Sequence, residues 1–232
     1  VKDRTEFLVA AAHEMRTPLT SIIAAGEMLA GEVPKDPDNP LFQLVDNIRV
    51  ASDALHHRTS ELLEFSRMRS GPLDLKVDEV EVNQLISDMP RQFASLLRQR
   101  EQELAVETFP KALIINADYN RLQQVITNLI GNATKFSPLK ARLVLKAESN
   151  GDEAIIRVVD HAAPLSDIER AKMFQPFYRG ENLRKPGTGL GLGLAISRQI
   201  ITAHQGRIWV DVAREGNIFS FAIPLAPDNP AV

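Results

Sequence analysis

Apolar residues in the first part of the chain recur in a three–four rhythm. Leu8, Ala12, Met15, Leu19, Ile22, Gly26 and Leu29 follow one another in alternating steps of four and three, the seam of a helix that packs on other helices. The pattern predicts a helix from about Asp3 to Leu29, ended where Gly31, Pro34, Pro37 and Pro40 crowd one loop. Pro18 lies inside it and crowds the Glu14 carbonyl, so a bend just after His13 is expected. A second helix begins near Asn39-Pro40, a capping side chain followed by proline in the first turn. Leu41, Leu44, Ile48, Ala51, Leu55, Leu62 and Phe65 carry the rhythm to about Met68, broken at Arg58, and Gly71-Pro72 stops it. A hairpin of two such helices leaves an apolar face uncovered and buries too little by itself. Two copies pairing into a four-helix bundle is the expectation, and packing of the hairpin on the rest of the chain is the alternative.

From Leu73 the texture changes. Leu73 to Val77 alternates like a strand. Val82 to Arg98 reads as a helix that Pro90 kinks or splits. Strands are expected at Leu104–Val106 and Ala112–Ile115, then a helix capped by Asp118 from Tyr119 to about Thr134. Arg142–Glu148 and Ala154–Asp160 flank the turn signal Ser149-Asn150-Gly151-Asp152. A short helix at Ser166–Met173 and a helix from Gly189 to Ala203 follow. A hairpin of Arg207–Val212 and Ile218–Ile223, folded around Glu215-Gly216-Asn217, ends the fold. Strands mixed with helices predict an α+β sandwich, one layer of helices on one mixed sheet.

Bulk properties narrow this little. The 232 residues suffice for one large domain or two modest ones, and 44% hydrophobic with 25% charged residues is the balance of a globular protein. A net charge of −3 gives no argument for a nucleic-acid partner or an anionic membrane. The absence of Cys excludes disulfides and thiolate metal sites and fits a reducing compartment. No apolar run approaches the roughly 20 residues that span a bilayer. The chain opens directly into helical sequence, so it is expected to be a cytoplasmic piece of a longer protein, attached to a membrane, if at all, through an upstream region.

Five groups of residues suggest chemistry. His13 lies one position off the first seam, with Glu14 beside it and Thr17 one turn further on the same face, placing an imidazole, a carboxylate and a hydroxyl at the wet edge of a helix. Asn128, Asn132 and Lys135 share one face of the later helix, a set suited to phosphate and Mg²⁺, since an Asn carbonyl ligates Mg²⁺ without adding charge and Lys neutralises phosphate. Phe136 offers a face on which a base can stack. Gly189, Gly191 and Gly193 open the last long helix, where glycines let the backbone approach phosphate oxygens closely. The run is not a dinucleotide fingerprint, because no βαβ unit surrounds it. Asp160 ends a strand and can accept from an exocyclic amine, which selects adenine over guanine. Arg179 closes the segment Met173-Phe174-Gln175-Pro176-Phe177-Tyr178-Arg179, and the stretch from there to Gly189 reads as a lid.

The string His13-Glu14-Met15-Arg16-Thr17-Pro18-Leu19-Thr20 resembles the phosphoacceptor motif of two-component sensor histidine kinases. The order of His motif, hairpin, Asn segment, Asp segment, Phe segment and Gly segment resembles that family over essentially the whole chain. The resemblance implies a multidomain protein. Residues 1–70 would form a helical dimerisation and phosphoacceptor hairpin, a four-helix bundle as the homodimer. Residues 71–232 would form an ATP-binding α+β sandwich of the Bergerat (GHKL) type. It implies that ATP phosphorylates His13, with Glu14 as the assisting base and Thr17 orienting water in a phosphatase reaction. Asn132 would hold Mg²⁺, with Asn128 and Lys135 at the phosphates and Phe136 beside the nucleotide. Asp160 would take the adenine amine, Gly189, Gly191 and Gly193 would wrap the phosphates, and Arg179 would reach the γ-phosphate. The phosphoryl group would pass to an Asp of a response-regulator receiver domain.

One segment departs from the family. Where Asp-x-Gly-x-Gly is usual, this chain has Asp160-His161-Ala162-Ala163-Pro164. A positive φ at Ala162 would cost roughly 1 kcal/mol, and Pro164 removes an amide donor. Weakened ATP affinity is therefore expected. A degenerate kinase acting as a dimeric scaffold is the alternative function, and an ATP-driven clamp of the gyrase and chaperone kind is a further one.

Overall fold

The computed structural model describes residues 2–227 other than 35, 37, 72 and 181–188, with backbone alone for 2–14, 16, 17, 69 and 70. The chain divides into two compact units, Val1–Gly71 with Pro186–Leu192, and Pro72–Lys185 with Gly193–Val232.

The first unit is a hairpin of α1 (Lys2–Glu32) and α2 (Pro40–Ser70). Helix α1 runs through Pro18 without a break. Asn39 caps α2 by accepting the Leu41 N–H at 2.9 Å, and Pro40 takes the first helical position, where its missing donor is not needed. The apolar seam is two heptad columns rather than one. Leu19, Gly26 and Val33 are buried, as are Val45, Ser52 and Thr59 on α2. The Thr59 hydroxyl donates within its own helix to the carbonyls of Leu55 and His56, so its burial leaves no open donor. The other α1 column, Met15, Ile22 and Leu29, stays exposed, and so do Leu41, Leu44, Ile48 and Leu55 on α2. On α1 the hairpin buries one column of the expected seam, but on α2 it closes on a column one residue past the expected stripe, which is a correction to the sequence pattern: Leu41, Leu44, Ile48, Ala51 and Leu55 all stay open.

The second unit is built on a five-stranded sheet in the order β2-β4-β5-β7-β6. The strands are β2 (Glu103–Glu107), β4 (Arg142–Ser149), β5 (Glu153–Val159), β6 (Arg207–Ala213) and β7 (Gly216–Pro224). β2 and β4 are parallel and the other pairs antiparallel. A separate antiparallel pair joins β1 (Asp78–Glu81) to β3 (Ile114–Ala117). Helices α3 (Val82–Ser87), α4 (Met89–Gln99), α5 (Tyr119–Phe136) and α7 (Gly193–Ala203) pack against the large sheet, and α6 (Asp167–Lys172) is a short helix opened by a Ser166–Glu169 capping box.

Register sorts the two faces of the sheet. Leu145, Val158, Phe219 and Val210 lie in one cross-strand row and are buried. The neighbouring row is Lys146, Arg157, Ser220 and Trp209. There Glu148 receives both Lys146 at 2.6 Å and Arg157 at 2.7 Å, and the Lys146 hydrogen bond does most to hold its carboxyl below the usual range. Arg157 also stands 5.9 Å from the Trp209 ring centroid, so the face away from the helices carries a polar and aromatic ladder.

Two expectations need correction. Leu73–Val77 is not a strand; the ladder begins at Asp78, and the Lys76 N–H goes instead to the Asp118 carboxylate at 2.9 Å. Alternation here marked an extended segment without a partner strand. The last long helix begins at Gly193 and not at Gly189, because Gly189 (φ 87°) and Gly191 (φ 73°) adopt left-handed backbone that a right-handed helix cannot contain. The expected split at Pro90 is present: α3 ends at Ser87, and α4 starts at Met89 with the proline in its first turn.

Candidate functional site

Helix α5 starts from Asp118, whose Oδ1 accepts the Arg121 N–H at 3.1 Å. Burial pushes this carboxyl up, but the backbone amides of Lys76, Arg121 and Asn120 together with the Arg121 charge bring it below its ordinary range. The Asp118 backbone N–H donates to His204 Nε2 at 2.9 Å, while His204 Nδ1 lies 2.8 Å from the Ile200 carbonyl. These partners fix the tautomer, with the proton on Nδ1, and join the end of α7 to the start of α5. At its other end, the carbonyls of α5 and its cap are collected by the buried Gln102, which donates to Thr134 at 3.1 Å and Pro138 at 2.8 Å, and by Arg100, which donates to Ser137 at 3.0 Å. Both ends of α5 are thus held by residues distant in sequence.

Along α5, the face carrying Leu122, Val125, Ile126, Leu129 and Ile130 is buried, and outside it Asn128 and Asn132 are half-buried and Lys135 is exposed. The Lys135 ammonium sits 5.2 Å from the Phe136 ring centroid. Asn128 faces α7: its Nδ2 donates to Ser197 Oγ at 2.9 Å. Gly193 is where a side chain would meet Asn128, since an added Cβ would lie 3.0 Å from its Cγ. The three glycines therefore serve different ends. Gly189 and Gly191 supply left-handed backbone, and Gly193 supplies room for Asn128.

Asp160 follows β5 and is 3% exposed. Its Oδ1 accepts from the N–H of Ala162 at 3.0 Å, the N–H of Asn217 at 3.0 Å and Asn217 Nδ2 at 3.1 Å. Among the described residues no donor reaches Oδ2. Burial raises the Asp160 carboxyl above its ordinary range, against the opposing pull of those donors. One oxygen is saturated by protein and the other is left for a donor from outside, which fits the exocyclic amine of adenine. The His161 N–H donates to Ser137 Oγ at 3.0 Å, so this loop is tied to the end of α5. Ala162 does not take a positive φ, and the strain expected from the missing glycines is absent.

His13, Glu14 and Thr17 lie on α1, and their side chains are outside the described residues. Arg179 is half-buried after Phe177, which is exposed with φ 62°, and the expected lid at 181–188 lies outside the described residues. Among the described residues no cluster of His, Asp and Glu could hold a metal ion. A Mg²⁺ here would depend on neutral ligands such as Asn132 and on phosphate oxygens, the donor set this ion accepts. Sequence reasoning passed over Asn217, Ser137, Ser197 and His204. Asn217 read as a turn residue, and nothing in local spacing shows that it meets a residue 57 positions away.

Two family models match the chain: His Kinase A (phospho-acceptor) domain over residues 3–71, and histidine kinase-, DNA gyrase B-, and HSP90-like ATPase over residues 117–227. Sensor histidine kinase RcsC of Escherichia coli strain K12 is 32% identical over 97% of this chain and 24% of its own length. Sensor protein SphS of Synechococcus elongatus is 31% identical over 89% of this chain and 51% of its own length. The chain thus spans about a quarter of the first relative's length and about half of the second's. Full-length ShkA in complex with AMPPNP shares the fold with a TM-score of 0.80 and 24% identity, covering 98% of this chain and 47% of that one. Histidine kinase ThkA in complex with the response regulator protein TrrA matches with a TM-score of 0.67 and 27% identity, covering 96% of this chain and 62% of that one.

Proposed function

The chain belongs to the two-component sensor histidine kinases, and from that membership we propose that it is the kinase core, transferring the γ-phosphoryl group of ATP to His13 and then to an Asp of a response regulator. The observation that carries this reading is the pairing, in one chain and in this order, of a phosphoacceptor model over 3–71 and an ATPase model over 117–227. Residues 1–70 act as the dimerisation and phosphoacceptor part, and 71–232 as the ATP-binding part.

In the first step an imidazole nitrogen of His13 attacks the γ-phosphorus, the bond to the β-phosphate oxygen breaks, and ADP leaves. Neutral imidazole is a competent nucleophile near pH 7. Glu14, adjacent on the helix, takes the ring proton, and Thr17 orients water when the regulator is dephosphorylated. Phosphoryl transfer asks mainly for alignment and charge neutralisation. Lys135, Arg179 and the backbone at Gly189, Gly191 and Gly193 supply these at the phosphates, with Asn128 and Phe136 beside the nucleotide. Asn132 would hold a Mg²⁺ ion, which would supply further neutralisation of the phosphate charge. Asp160 selects adenine through Oδ2.

The exposed column Met15, Ile22 and Leu29 with Leu41, Ile48 and Leu55 supports a homodimer, in which a second copy covers it. ThkA is seen with a response regulator, and the same class of partner is proposed here. Among the described residues no helix is long and apolar enough to cross a membrane, and a cytoplasmic setting is proposed. The deciding experiment incubates the purified chain with γ-labelled ATP. Acid-labile label that is lost in His13→Gln and Asn132→Ala is expected; label retained in His13→Gln, or none in the wild type, would refute the assignment.

A further inference from the structure

The segment after β5 lacks the glycines usual in its family, and besides the Ser137 tie at His161 it is bracketed at several points by Asn217. Asn217 is 1% exposed. Its carbonyl accepts the Asp160 N–H at 2.9 Å, and its own N–H and Nδ2 donate to Asp160 Oδ1 at 3.0 and 3.1 Å. Nδ2 also donates to the Ala163 carbonyl at 3.2 Å, and Oδ1 accepts the Leu165 N–H at 2.9 Å. The preceding Gly216 (φ 128°) has no side chain, and a Cβ there would lie 2.8 Å from the Asp160 carbonyl carbon, so β7 meets the loop without an intervening group. A carboxamide offers two donors and one acceptor. Here both functions are spent on two sides of one short loop, none of whose residues needs glycine conformations.

We propose that Asn217 is a positioning residue for nucleotide recognition: it occupies Asp160 Oδ1 and pins residues 160–165 in place of the missing glycines, so that Oδ2 is presented in one fixed direction to the exocyclic amine of an adenine nucleotide. The inference rests on the reading of Asp160 as the adenine acceptor. A carboxylate free to rotate would offer either oxygen and tolerate small shifts of the base. Held by donors from one buried side chain and two backbone amides, it confronts guanine, which carries a carbonyl where adenine carries its amine, with an acceptor that cannot turn away. Discrimination of this kind comes from an acceptor left facing an acceptor. A loop with glycines achieves its path by conformational freedom; this one achieves it by a fixed bracket.

The test compares ATP and GTP binding to the wild-type chain, Asn217→Ala, Asn217→Ser and Asp160→Asn, alongside each melting temperature. Removing hydrogen bonds to a charged group weakens binding by roughly 10- to 100-fold. Asn217→Ala is expected to lose ATP affinity by that order and to bring the ATP-to-GTP ratio toward one. Asn217→Ser, with one hydroxyl donor for Oδ1 and no reach to Ala163 and Leu165, falls between. Hydrogen exchange on nucleotide-free wild type is the readout that needs no variant, and the Leu165 amide is expected to be protected. An Asn217→Ala or Asn217→Ser protein that melts lower but keeps the wild-type ATP-to-GTP ratio would reduce Asn217 to a packing residue and overturn the proposal. Leu165 exchanging as an open loop would do the same. A wild-type chain without adenine preference, or an Asp160→Asn variant that retains it, would remove the Asp160 reading itself, an outcome separable from failure at Asn217.

Discussion

Gly193 begins α7 directly against the side chain of Asn128 on α5; a methyl group at Gly193 would lie 3.0 Å from the Asn128 Cγ and closer still to its Oδ1. Asn128 is the neighbour that must yield, and its amide is already committed to Ser197. Gly193→Ala is therefore expected to destabilise the ATP-binding unit by about 1–3 kcal/mol through overpacking. Gly189→Ala, which meets open space at φ 87°, is expected to cost about 1 kcal/mol from backbone strain alone. Chemical denaturation of both variants checks the difference, and equal losses would refute the separate roles given to these glycines.

His204 uses both ring nitrogens to join α7 to the first residue before α5. His204→Phe preserves much of the volume but leaves the buried Asp118 N–H without an acceptor. A loss of roughly 1–3 kcal/mol is expected from that unsatisfied donor. Thermal unfolding of the purified variant measures it, and an unchanged melting temperature would show that the donor finds another partner.

Asp118 and Asp160 are linked to pH with opposite signs. Asp118 is held below its usual range by the outcome of burial against amide donors, so its contribution to stability is present above the unfolded pKa and is lost as pH falls through the folded one. Asp118→Asn is expected to lower the melting temperature at pH 7 and to flatten its decline on acidification. Asp160 is raised by burial, so its protonated form is favoured in the fold; the associated stability is present below the unfolded pKa and lost as pH rises through the folded one. Because Oδ1 already takes three donors, protonation falls on Oδ2 and sets a donor against the adenine amine. ATP affinity is thus expected to fall on acidification at a higher pH than an ordinary carboxylate would give. Binding titrations across pH 4–8 (a span chosen around the ordinary carboxylate range) would expose the idea as wrong if affinity stayed flat until that ordinary range.

The open heptad column of the hairpin predicts its own partner. Ile22→Glu and Ile48→Glu place a charge where the second copy is proposed to pack, and are expected to weaken the dimer by at least about 100-fold. Light scattering over a concentration series reads this out. A dimer unaffected by either substitution would locate the interface elsewhere.

Much of this protein was legible in its linear order. The three–four rhythm determined both long helices, because a helix repeats near that period and an apolar stripe must be covered. Asn39 and Asp118 announced two helix starts, because their short side chains can reach the unpaired amides of the first turn. The family resemblance was carried by strings that are local, from His13 to Thr20 and from Asn128 to Pro138. What the sequence could not decide is which column of α1 closes the hairpin, since both satisfy the same period, and on α2 it pointed to the wrong one, because the buried column carries Ser52 and Thr59 and does not read as apolar. Nor could it show that Ala162 keeps an ordinary φ or that the loop after Asp160 meets Asn217, which only the pairing of β5 with β7 brings alongside. The start of α7 shifted for a similar reason: glycine permits both a helix and a left-handed turn, and packing chooses between them. Local pattern fixes the element, because its physics is that of near neighbours; the tertiary structure fixes the partner of each buried polar group, because that partner lies anywhere along the chain.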